Sequence, residues 1–458
     1  MDVATDVGFY ADNGVTMDCF NRNFYACLLA CVVFSLFSWF LYCQVSPTHP
    51  HCDIDSKAYL ERGFLCAQTG RFVTATSPEQ PYYALGYAGI IGLLYHIFWP
   101  SPVLIILLQL LLACMSCFIM MRCARLLFGM RAAGWVAFFF AVSLGYLVFV
   151  QFVLTEIVLS FFLLLSFERL VTWITFHGAS LCPLATAALA LGLSIAIKPA
   201  ALYSVFILAP LIGYVAGTWR QRLIRSVVFA LCFYIPVVGY MTYNYHAFGN
   251  FCVSTLDRVN VYYWFFPNVL AHLHGTTSDA ERLSLLARSQ GTHNFAAVEN
   301  LFWQSLRDNP WIFIYVWIKN VLKTFAGLYT TNLKVLIAPS VHGIGVSFFK
   351  TSGTLITRVW SYIAAGAPAP WVIIIGCCEA VLSLLRYFLC LIALVGLIRC
   401  KKIVPVALCC AYIVYFSLIT GHDGCARFRM MFEFLLIILA AGGWSMMMNP
   451  AGDVCNER

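Results

Sequence analysis

Long apolar runs alternate with short polar segments along the whole chain of 458 residues. We count about ten runs with the length that a helix needs to cross a bilayer core of about 30 Å. Because lipid offers the backbone no hydrogen-bond partners, each run is predicted to be a transmembrane helix. The first run, from about Phe24 to Val45, is too long and too poorly flanked by basic residues to be a cleaved signal peptide. The pattern therefore predicts an all-α polytopic membrane protein.

The polar interruptions divide the chain into parts. We predict a polar arm at 1–22, a module of seven spans at 23–246 with an outer loop at 46–101, a loop region with interfacial helices at 247–370, three spans at 371–449 and a tail at 450–458. Spans three and four should meet in a tight hairpin at Gln151. The loop region should contain a polar helix, Ser278–Arg288, and an apolar helix, Trp311–Leu328, at the membrane interface. A hairpin of two spans within 311–350 is the alternative.

The first outer loop opens with a polar stretch, His51 to Gly63. If it is helical, Asp55, Tyr59 and Arg62 lie on one face, and Leu60, Phe64 and Ala67 lie on another. Two such faces predict an amphipathic helix at the bilayer surface. Asp53 and Asp55 cannot share a face, so one of them should precede or cap the helix.

The composition supports a membrane location and sets the topology. Hydrophobic residues make up 62% of the chain and charged residues 10%, whereas charged residues make up about 25% of a soluble domain. The net charge of +8 comes from basic clusters at span ends rather than from one patch, which argues against binding to nucleic acid. The clusters are Arg122, Arg125 and Arg131; Arg220, Arg222 and Arg225; and Arg399, Lys401 and Lys402. The positive-inside rule makes these loops cytoplasmic and places the first polar stretch on the outer side.

Ionisable residues gather at the predicted outer ends of the spans. They are Asp53, Asp55, Lys57, Arg62, Glu156, Lys198, Asp423, Arg427 and Arg429. Charges at that depth are costly unless they pair or line a cavity, so we infer a polar cavity there. Carboxylates beside guanidinium groups suit transfer from a phosphate-linked lipid. The carboxylate can take the proton of an acceptor hydroxyl, and Arg or Lys can hold the departing phosphate.

Structural roles for the same residues stay open. In these alternative roles, Lys198 would extend its side chain to the membrane interface, and Arg427 and Arg429 would contact lipid head groups. Glu156 would cap a span or pair with Lys198. No phosphate-binding glycine loop, Ser/His/Asp order or HExxH motif occurs in the chain. Most of the 20 cysteines lie inside apolar runs, and their spacing does not suggest a metal site.

Several short motifs occur in an order that is typical of one superfamily. They are Asp53-Ile54-Asp55-Ser56-x-x-Tyr59, Pro81-Tyr82, Leu154-Thr155-Glu156, Gly192 to Pro199, Asn244-Tyr245-x-x-Phe248-Gly249, and Arg427-Phe428-Arg429. Together they resemble the GT-C membrane glycosyltransferases, with the protein O-mannosyltransferase and aminoarabinose transferase-like branch closest. The resemblance covers nearly the whole chain. Two departures are Tyr243, where relatives often carry Arg, and Met431 and Phe434, where they often carry proline.

The resemblance implies a GT-C-type fold and a transferase for hexosyl or pentosyl groups that uses a polyprenyl-phosphate sugar as donor. It implies Asp55 as the base for inverting transfer, with Asp53 as the second candidate. Lys198, Arg427, Arg429 and Arg62 become candidates for the donor phosphate, and Glu156, Tyr59 and Asn244 for lining the site. In oligosaccharyltransferases the acid that corresponds to Glu156 helps to hold a divalent metal. Here no cofactor is assigned, and a divalent metal stays open.

The expected partners are the donor, a lipid, glycan or protein acceptor, and membrane lipids. The outer loops carry no Asn-x-Ser/Thr sequon and the chain does not end in an endoplasmic-reticulum retrieval signal, which favours a bacterial cytoplasmic membrane. One rival is a lipid or solute transporter, which needs charges near the bilayer midplane and broken helices in two similar halves. A second rival is an O-antigen polymerase or ligase-like enzyme, which would not depend on an acid in the first loop.

Overall fold

The computed structural model of the chain is a bundle of helices. It describes residues 14–45, 54–72, 84–176, 180–215, 217–289, 296–337, 354, 356–358, 360–361 and 370–448, and no strand occurs among them. In chain order the α-helices are α1 (Gly14–Gln44), α2 (Ile54–Thr69), α3 (Gly86–Ile97), α4 (Pro102–Phe128), α5 (Met130–Ala141), α6 (Leu144–Gln151), α7 (Glu156–Thr175), α8 (Cys182–Ile197), α9 (Val205–Val215), α10 (Trp219–Phe248), α11 (Leu256–Val259), α12 (Phe266–His274), α13 (Ser278–Arg288), α14 (Ala296–Asp308), α15 (Pro310–Ala326), α16 (Thr330–Ile337), α17 (Pro370–Arg399), α18 (Ile403–Ile419) and α19 (Glu433–Met448). A π-helix, Asn260–Phe265, joins α11 to α12, and a 3₁₀-helix, Ala426–Met431, leads into α19.

Within these residues, 5 helices are long and apolar enough to cross a membrane, and α5 with α6, bent by 49°, would make 6. The long helices are Asn21–Gln44, Pro102–Phe128, Glu156–Thr175, Trp219–Phe248 and Trp371–Arg399. Shorter apolar helices, α8, α9, α18 and α19, take the positions of the remaining predicted spans. The predicted fold class, an all-α polytopic membrane protein, is confirmed.

Capping residues set where several of these helices begin. Ser101 accepts a hydrogen bond from the amide of Val103, and Pro102 follows it at the first helical position of α4. Thr218 and Gln221 form a capping box that starts α10 at Trp219, seven residues before the Ser226 at which the apolar run begins. The helix therefore includes the basic residues that the hydrophobic pattern had placed in a loop.

The described helices differ from the predicted ones in two other places. Helix α1 begins at Gly14, so residues 14–22 of the predicted polar arm are helical. Span three is not straight, because the chain breaks between Ala141 and Leu144. The polar helix Ser278–Arg288 occurs with the predicted bounds.

Two of the basic clusters lie at the same end of the bundle. Lys402 Nζ donates a hydrogen bond to the Leu127 carbonyl at 3.2 Å, which joins the loop after α17 to the end of α4. Arg122 Nε pairs at 3.0 Å with Glu168, near the C-terminal end of α7. Glu156 begins the same 20-residue helix, which is about 30 Å long. Glu156 and the basic clusters thus lie at opposite ends of the bundle.

The outer loop region forms a second hydrophobic core. Aromatic side chains from α12, α14 and α15 pack together there, among them Phe266, Phe302 and Phe313. The Phe266 and Phe302 rings are 5.4 Å apart, and those of Phe302 and Phe313 are 5.3 Å apart. The predicted interfacial helix corresponds to α15, which is not among the described helices that are long and apolar enough to cross a membrane.

Candidate active site

Arg427 joins two of the acids that were predicted on the outer side, Asp55 and Glu156. Its Nη1 donates to Asp55 Oδ2 at 2.9 Å, and its Nε donates to Glu156 Oε1 at 2.5 Å. Lys198 Nζ donates to the same Glu156 oxygen at 3.2 Å. We call these four residues the outer ion cluster. They are separated by up to 372 positions in sequence, and only the fold brings them together.

Hydrogen bonds to the backbone fix the approach to Glu156. The chain leaves α6 at Gln151, and Gln109 Nε2 donates to the carbonyls of Val150 at 3.0 Å and Phe152 at 2.8 Å. Gln151 Nε2 donates to the Ser38 carbonyl at 2.9 Å. Buried amide side chains thus replace the helical hydrogen bonds that are lost at the break. Glu156 follows at the first position of α7, where the helix dipole favours a negative charge.

Lys198 lies where α8 ends. Its backbone is extended, with φ of −154° and ψ of 127°, and Pro199 follows, so the helix cannot continue. The ammonium group lies 5.0 Å from the centre of the Phe428 ring as well as 3.2 Å from Glu156. Phe428 neighbours Arg427 in the 3₁₀-helix, so one short segment supplies a guanidinium to the cluster and an aromatic face to Lys198.

The first outer helix brings Asp55 to the cluster. Asp55 lies in the first turn of α2, and Tyr59, one turn later, is buried with its ring 5.2 Å from that of Tyr87. Tyr87 in turn donates to Gln109 Oε1 at 3.0 Å. The side chains that hold Asp55 and Glu156 are therefore connected. Tyr59 is part of this support and packs inward, whereas Phe64, predicted to lie on the apolar face, is exposed.

The two acids of the cluster differ in exposure. The Glu156 side chain is 2% exposed, whereas that of Asp55 is 32% exposed. Burial acts to lower the pKa of Arg427, but the carboxylates of Glu156 and Asp55 outweigh it and hold that pKa well above its usual value. Arg427 therefore stays positively charged, and it binds the buried carboxylate of Glu156 on one side and the accessible carboxylate of Asp55 on the other.

Arg429 does not join the outer ion cluster, contrary to the expectation from sequence. It is fully buried, and its Nε donates to Glu433 Oε2 at 3.1 Å. Its Nη1 donates at 2.9 Å to each of the carbonyls of Phe325 and Gly327. A residue enclosed in this way has no surface to offer to a phosphate group.

The surroundings of Arg429 form a second polar network, which reasoning from sequence missed. Arg386 of α17 pairs with Glu433, and Glu379 of α17 accepts the backbone N–H of Tyr329 at 2.6 Å and that of Thr330 at 2.9 Å. The signal was present, because these charged residues lie inside predicted spans, where a charge needs a partner.

The other candidate residues have separate positions. Asn244 is fully buried, and its amide donates to the carbonyls of Cys252 at 2.7 Å and Val253 at 3.0 Å, which gives it a structural role in the turn after α10. Arg62 is half-buried on α2, two turns after Asp55 on the same face. Asp53 lies outside the described residues.

The donor set of the cluster does not fit a divalent metal. Hard cations such as Mg²⁺ take about six oxygen ligands. In the cluster, Arg427 and Lys198 already occupy the positions beside the two carboxylates, and their charges balance those of the acids. Glu156 Oε2 is left without a hydrogen bond from the described residues, which provides one oxygen. No group of three or more His, Cys, Asp or Glu suited to a metal occurs in the described part of the chain.

Comparisons with known proteins agree with the fold. No protein-family model matches the chain, and a search of curated proteins finds no significant match. Among solved structures, the oligosaccharyltransferase AglB from Archaeoglobus fulgidus, in complex with an inhibitory peptide and a dolichol-phosphate, has a TM-score of 0.53 and 12% identity. The match covers 93% of this chain and 51% of that protein. An oligosaccharyltransferase from the same organism, tethered to an acceptor peptide, gives a TM-score of 0.52 and 13% identity over 93% of this chain and 50% of that one.

A second solved protein is also similar. ArnT from Cupriavidus metallidurans, bound to undecaprenyl phosphate, has a TM-score of 0.41 and 14% identity, covering 93% of this chain and 78% of that one. The chain spans about half the length of the oligosaccharyltransferase that it matches. The likeness to that enzyme, at 12% identity, shows the fold, and the predicted GT-C-type fold is confirmed.

Proposed function

We propose that this chain is a membrane glycosyltransferase that moves a sugar from a polyprenyl-phosphate-linked donor to a lipid, glycan or protein acceptor. The outer ion cluster carries the proposal, because it combines an accessible carboxylate with two cations that can hold a phosphate. The AglB structure, which shares the fold, contains a dolichol-phosphate, so in that protein the fold accepts a lipid of this class.

Asp55 is the better base of the two acids. Glu156 is buried, and one of its oxygens accepts bonds from both Arg427 and Lys198, so a proton would have to displace strong partners. Asp55 is about a third exposed and is paired with Arg427 through Oδ2. We assign Glu156 the role of an anchor that holds the two cations in place. Asp53, which the motif also offers, remains the second candidate for the base.

The proposed step is a single displacement with inversion. The acceptor hydroxyl oxygen forms a bond to the anomeric carbon on the face opposite the phosphate, while the bond from that carbon to the phosphate oxygen breaks. The hydroxyl proton passes to the Asp55 carboxylate. The polyprenyl phosphate leaves with the bonding electron pair and gains one negative charge, which Arg427 and Lys198 stabilise, with Arg62 as a further candidate.

The donor phosphate must also release the base. In the structure Arg427 Nη1 donates to Asp55 Oδ2 at 2.9 Å, so this carboxylate oxygen is engaged by the guanidinium. A phosphate bound by Arg427 competes for its N–H groups and so loosens this pair. Asp55 Oδ2 is then released from the guanidinium only when the donor is present, which limits transfer to the complete complex.

We place the reaction on the outer face of the membrane. The cluster lies at the end of α7 opposite the basic cluster around Arg122, and the positive-inside rule makes that basic end cytoplasmic. This supports an outward-facing site in a multi-pass protein. The choice of a bacterial cytoplasmic membrane rests on the sequence expectation alone.

The transporter alternative receives no comparable support. Glu379, Arg386, Arg429 and Glu433 do lie among the spans, as a transport pathway would need, but they are paired with one another and each is at most 6% exposed. Charges that are enclosed and mutually neutralised hold helices together and offer no route for a solute.

The test is transfer of a labelled sugar from polyprenyl-phosphate donors by the purified chain in vesicles, comparing the wild type with Asp55→Asn. The matched control is Glu61→Gln on the same helix, since Glu61 is exposed and its pair with Lys57 is 4.0 Å long. We expect Asp55→Asn to abolish transfer while donor binding persists, and Glu61→Gln to transfer as the wild type does. Normal transfer by Asp55→Asn would refute the assignment of the base.

A further inference from the structure

Helix α15 carries apolar residues on two opposite faces. On its inner face, Phe313 and Val316 are buried in the second core, and Asn320 and Thr324 are fully buried. On the outward face, five large apolar side chains recur at helical spacing and are between 47% and 78% exposed. These five residues, which we call the outward stripe, are Trp311, Ile314, Tyr315, Ile318 and Leu322.

The inner face ties α15 to the loop that carries Arg427. Asn320 Nδ2 donates to the His422 carbonyl at 3.2 Å. Gly424 has a φ of +68°, and a β-carbon there would lie 2.5 Å from the Asn320 carbonyl oxygen, so the loop and the helix are in close backbone contact. Gly421 faces Trp317 in the same way, with 2.5 Å between its would-be β-carbon and the indole nitrogen.

This contact fixes the height of α15. The loop of residues 420–425 joins α18 to the 3₁₀-helix that leads into α19, and both of these apolar helices belong to the membrane bundle. Because α15 packs on the connection between two such helices, it lies at the level where they end. Helix α15 has 17 residues, as α18 does, but unlike α18 it is not among the described helices that are apolar enough to count as spans or shorter apolar helices. Together with its contact at the end of the bundle, this favours a position along the membrane surface.

The composition of the outward stripe suits the interfacial layer of a bilayer. Trp and Tyr are enriched at that depth because each combines an apolar ring with a polar atom. Lys319 lies beside the stripe, 5.8 Å from the Tyr315 ring, where its long side chain can reach lipid phosphate groups. Burial of five large, half-exposed apolar side chains in this layer is favourable in proportion to the apolar area that leaves water.

We propose that the outward stripe lies in the interfacial layer of the outer leaflet, and that this contact holds Arg427 at the depth of the lipid phosphate groups. The evidence for the lipid contact is the outward stripe and the packing of α15 on the loop of residues 420–425, and it does not depend on the proposed function. The link of this contact to donor binding rests on the proposed function. A polyprenyl phosphate carries its phosphate at the same depth, so the anchored helix would set the height at which Arg427 and the donor meet.

The first arm of the test measures lipid contact without any activity. The full chain is placed in vesicles of phosphatidylcholine and phosphatidylglycerol, and the emission of Trp311 is obtained as the difference between the wild type and Trp311→Phe. We expect quenching by lipids brominated near the head group and little quenching by aqueous iodide. Trp317, which packs against Phe265 at 4.9 Å, is the matched reference on the inner face and should be protected from both quenchers.

Either of two other results overturns the proposal. Quenching of Trp311 by iodide alone would place the stripe in water. Quenching by neither agent would mean that protein covers the stripe, and cross-linking of the chain in the same vesicles would then distinguish a second copy from another segment of the same chain.

The second arm tests the link to donor binding with the variant Ile318→Glu/Leu322→Glu. We expect the KM for a long-chain donor in the bilayer to rise several-fold, with kcat and transfer from a short-chain soluble donor unchanged. The volume-conserving variant Ile318→Leu/Leu322→Ile should behave as the wild type. Equal loss with both donors would overturn the link, because the charged pair would then have damaged the site itself. If no donor is used at all, the proposed function fails while the quenching result still decides the lipid contact.

Discussion

Removing the Arg427 guanidinium should lower both stability and transfer, and a second substitution can separate the two effects. In Arg427→Met, Glu156 is left 2% exposed with Lys198 as its remaining partner in the cluster. Removing one partner of a buried pair costs about 3–5 kcal/mol. The Arg427 side chain is 17% exposed and that of Asp55 is 32% exposed, so we expect about 3 kcal/mol, at the lower end. Transfer should fall by about 10²–10³-fold, the usual loss when a preorganised group facing the developing charge is removed.

The double variant Glu156→Gln/Arg427→Met removes the uncompensated charge. Residue 156 then carries no charge, and the charges that remain in the cluster, those of Asp55 and Lys198, balance each other and are both partly exposed. The free energy of unfolding should therefore recover most of the loss seen in Arg427→Met. Transfer should stay low, since the cation for the leaving phosphate is still missing. Unfolding is measured by titration with dodecyl sulfate in mixed micelles, and transfer is measured in single turnovers on the folded fraction.

An exposed ion pair on α2 provides the control. Lys57 and Glu61 are 4.0 Å apart and 79% and 67% exposed, so Glu61→Gln should change the free energy of unfolding by less than about 1 kcal/mol. If the double variant regained transfer together with stability, Arg427 would be a structural residue only, and the assignment of the phosphate site to the outer ion cluster would fail.

Three further outcomes are expected. Glu433→Gln should lower the free energy of unfolding by about 3–5 kcal/mol, because two buried arginines lose their shared partner; an unchanged thermal midpoint in detergent would contradict this. Transfer by the wild type should survive dialysis against a chelator, since Arg427 and Lys198 supply the positive charge beside the acids; loss that Mn²⁺ restores would show a metal. Burial lowers the pKa of His422, with Asp423 acting in the opposite direction, so stability should fall as the pH drops through about 6.5 toward the folded pKa, and His422→Asn should flatten this dependence of the thermal midpoint.

The sequence predicted the features that depend on the hydrophobic pattern. It did not predict where helices bend or which side chains pair with each other. Apolar runs gave the positions of the helices, and the charges at their outer ends include the four that the fold brings together. Periodicity does not reveal a bend, so the break between Ala141 and Leu144 was not foreseen. It also does not reveal partners. Glu379 could be recognised as a charge inside a span, but its bonds to the backbone at Tyr329 and Thr330 depend on how α17 packs.

The two arginines of the Arg427-Phe428-Arg429 motif show the same limit at the scale of one turn. From the sequence, both arginines were predicted to bind the donor phosphate, because they lie only two positions apart along the chain. The segment is a 3₁₀-helix, with three residues per turn, so residues two positions apart point about 120° from each other. One guanidinium therefore reaches Asp55 and Glu156 while the other points into the bundle toward Glu433. The buried Arg429 holds the 3₁₀-helix in place, and this fixed position allows Arg427 to bind Asp55 and Glu156, which come from distant parts of the chain.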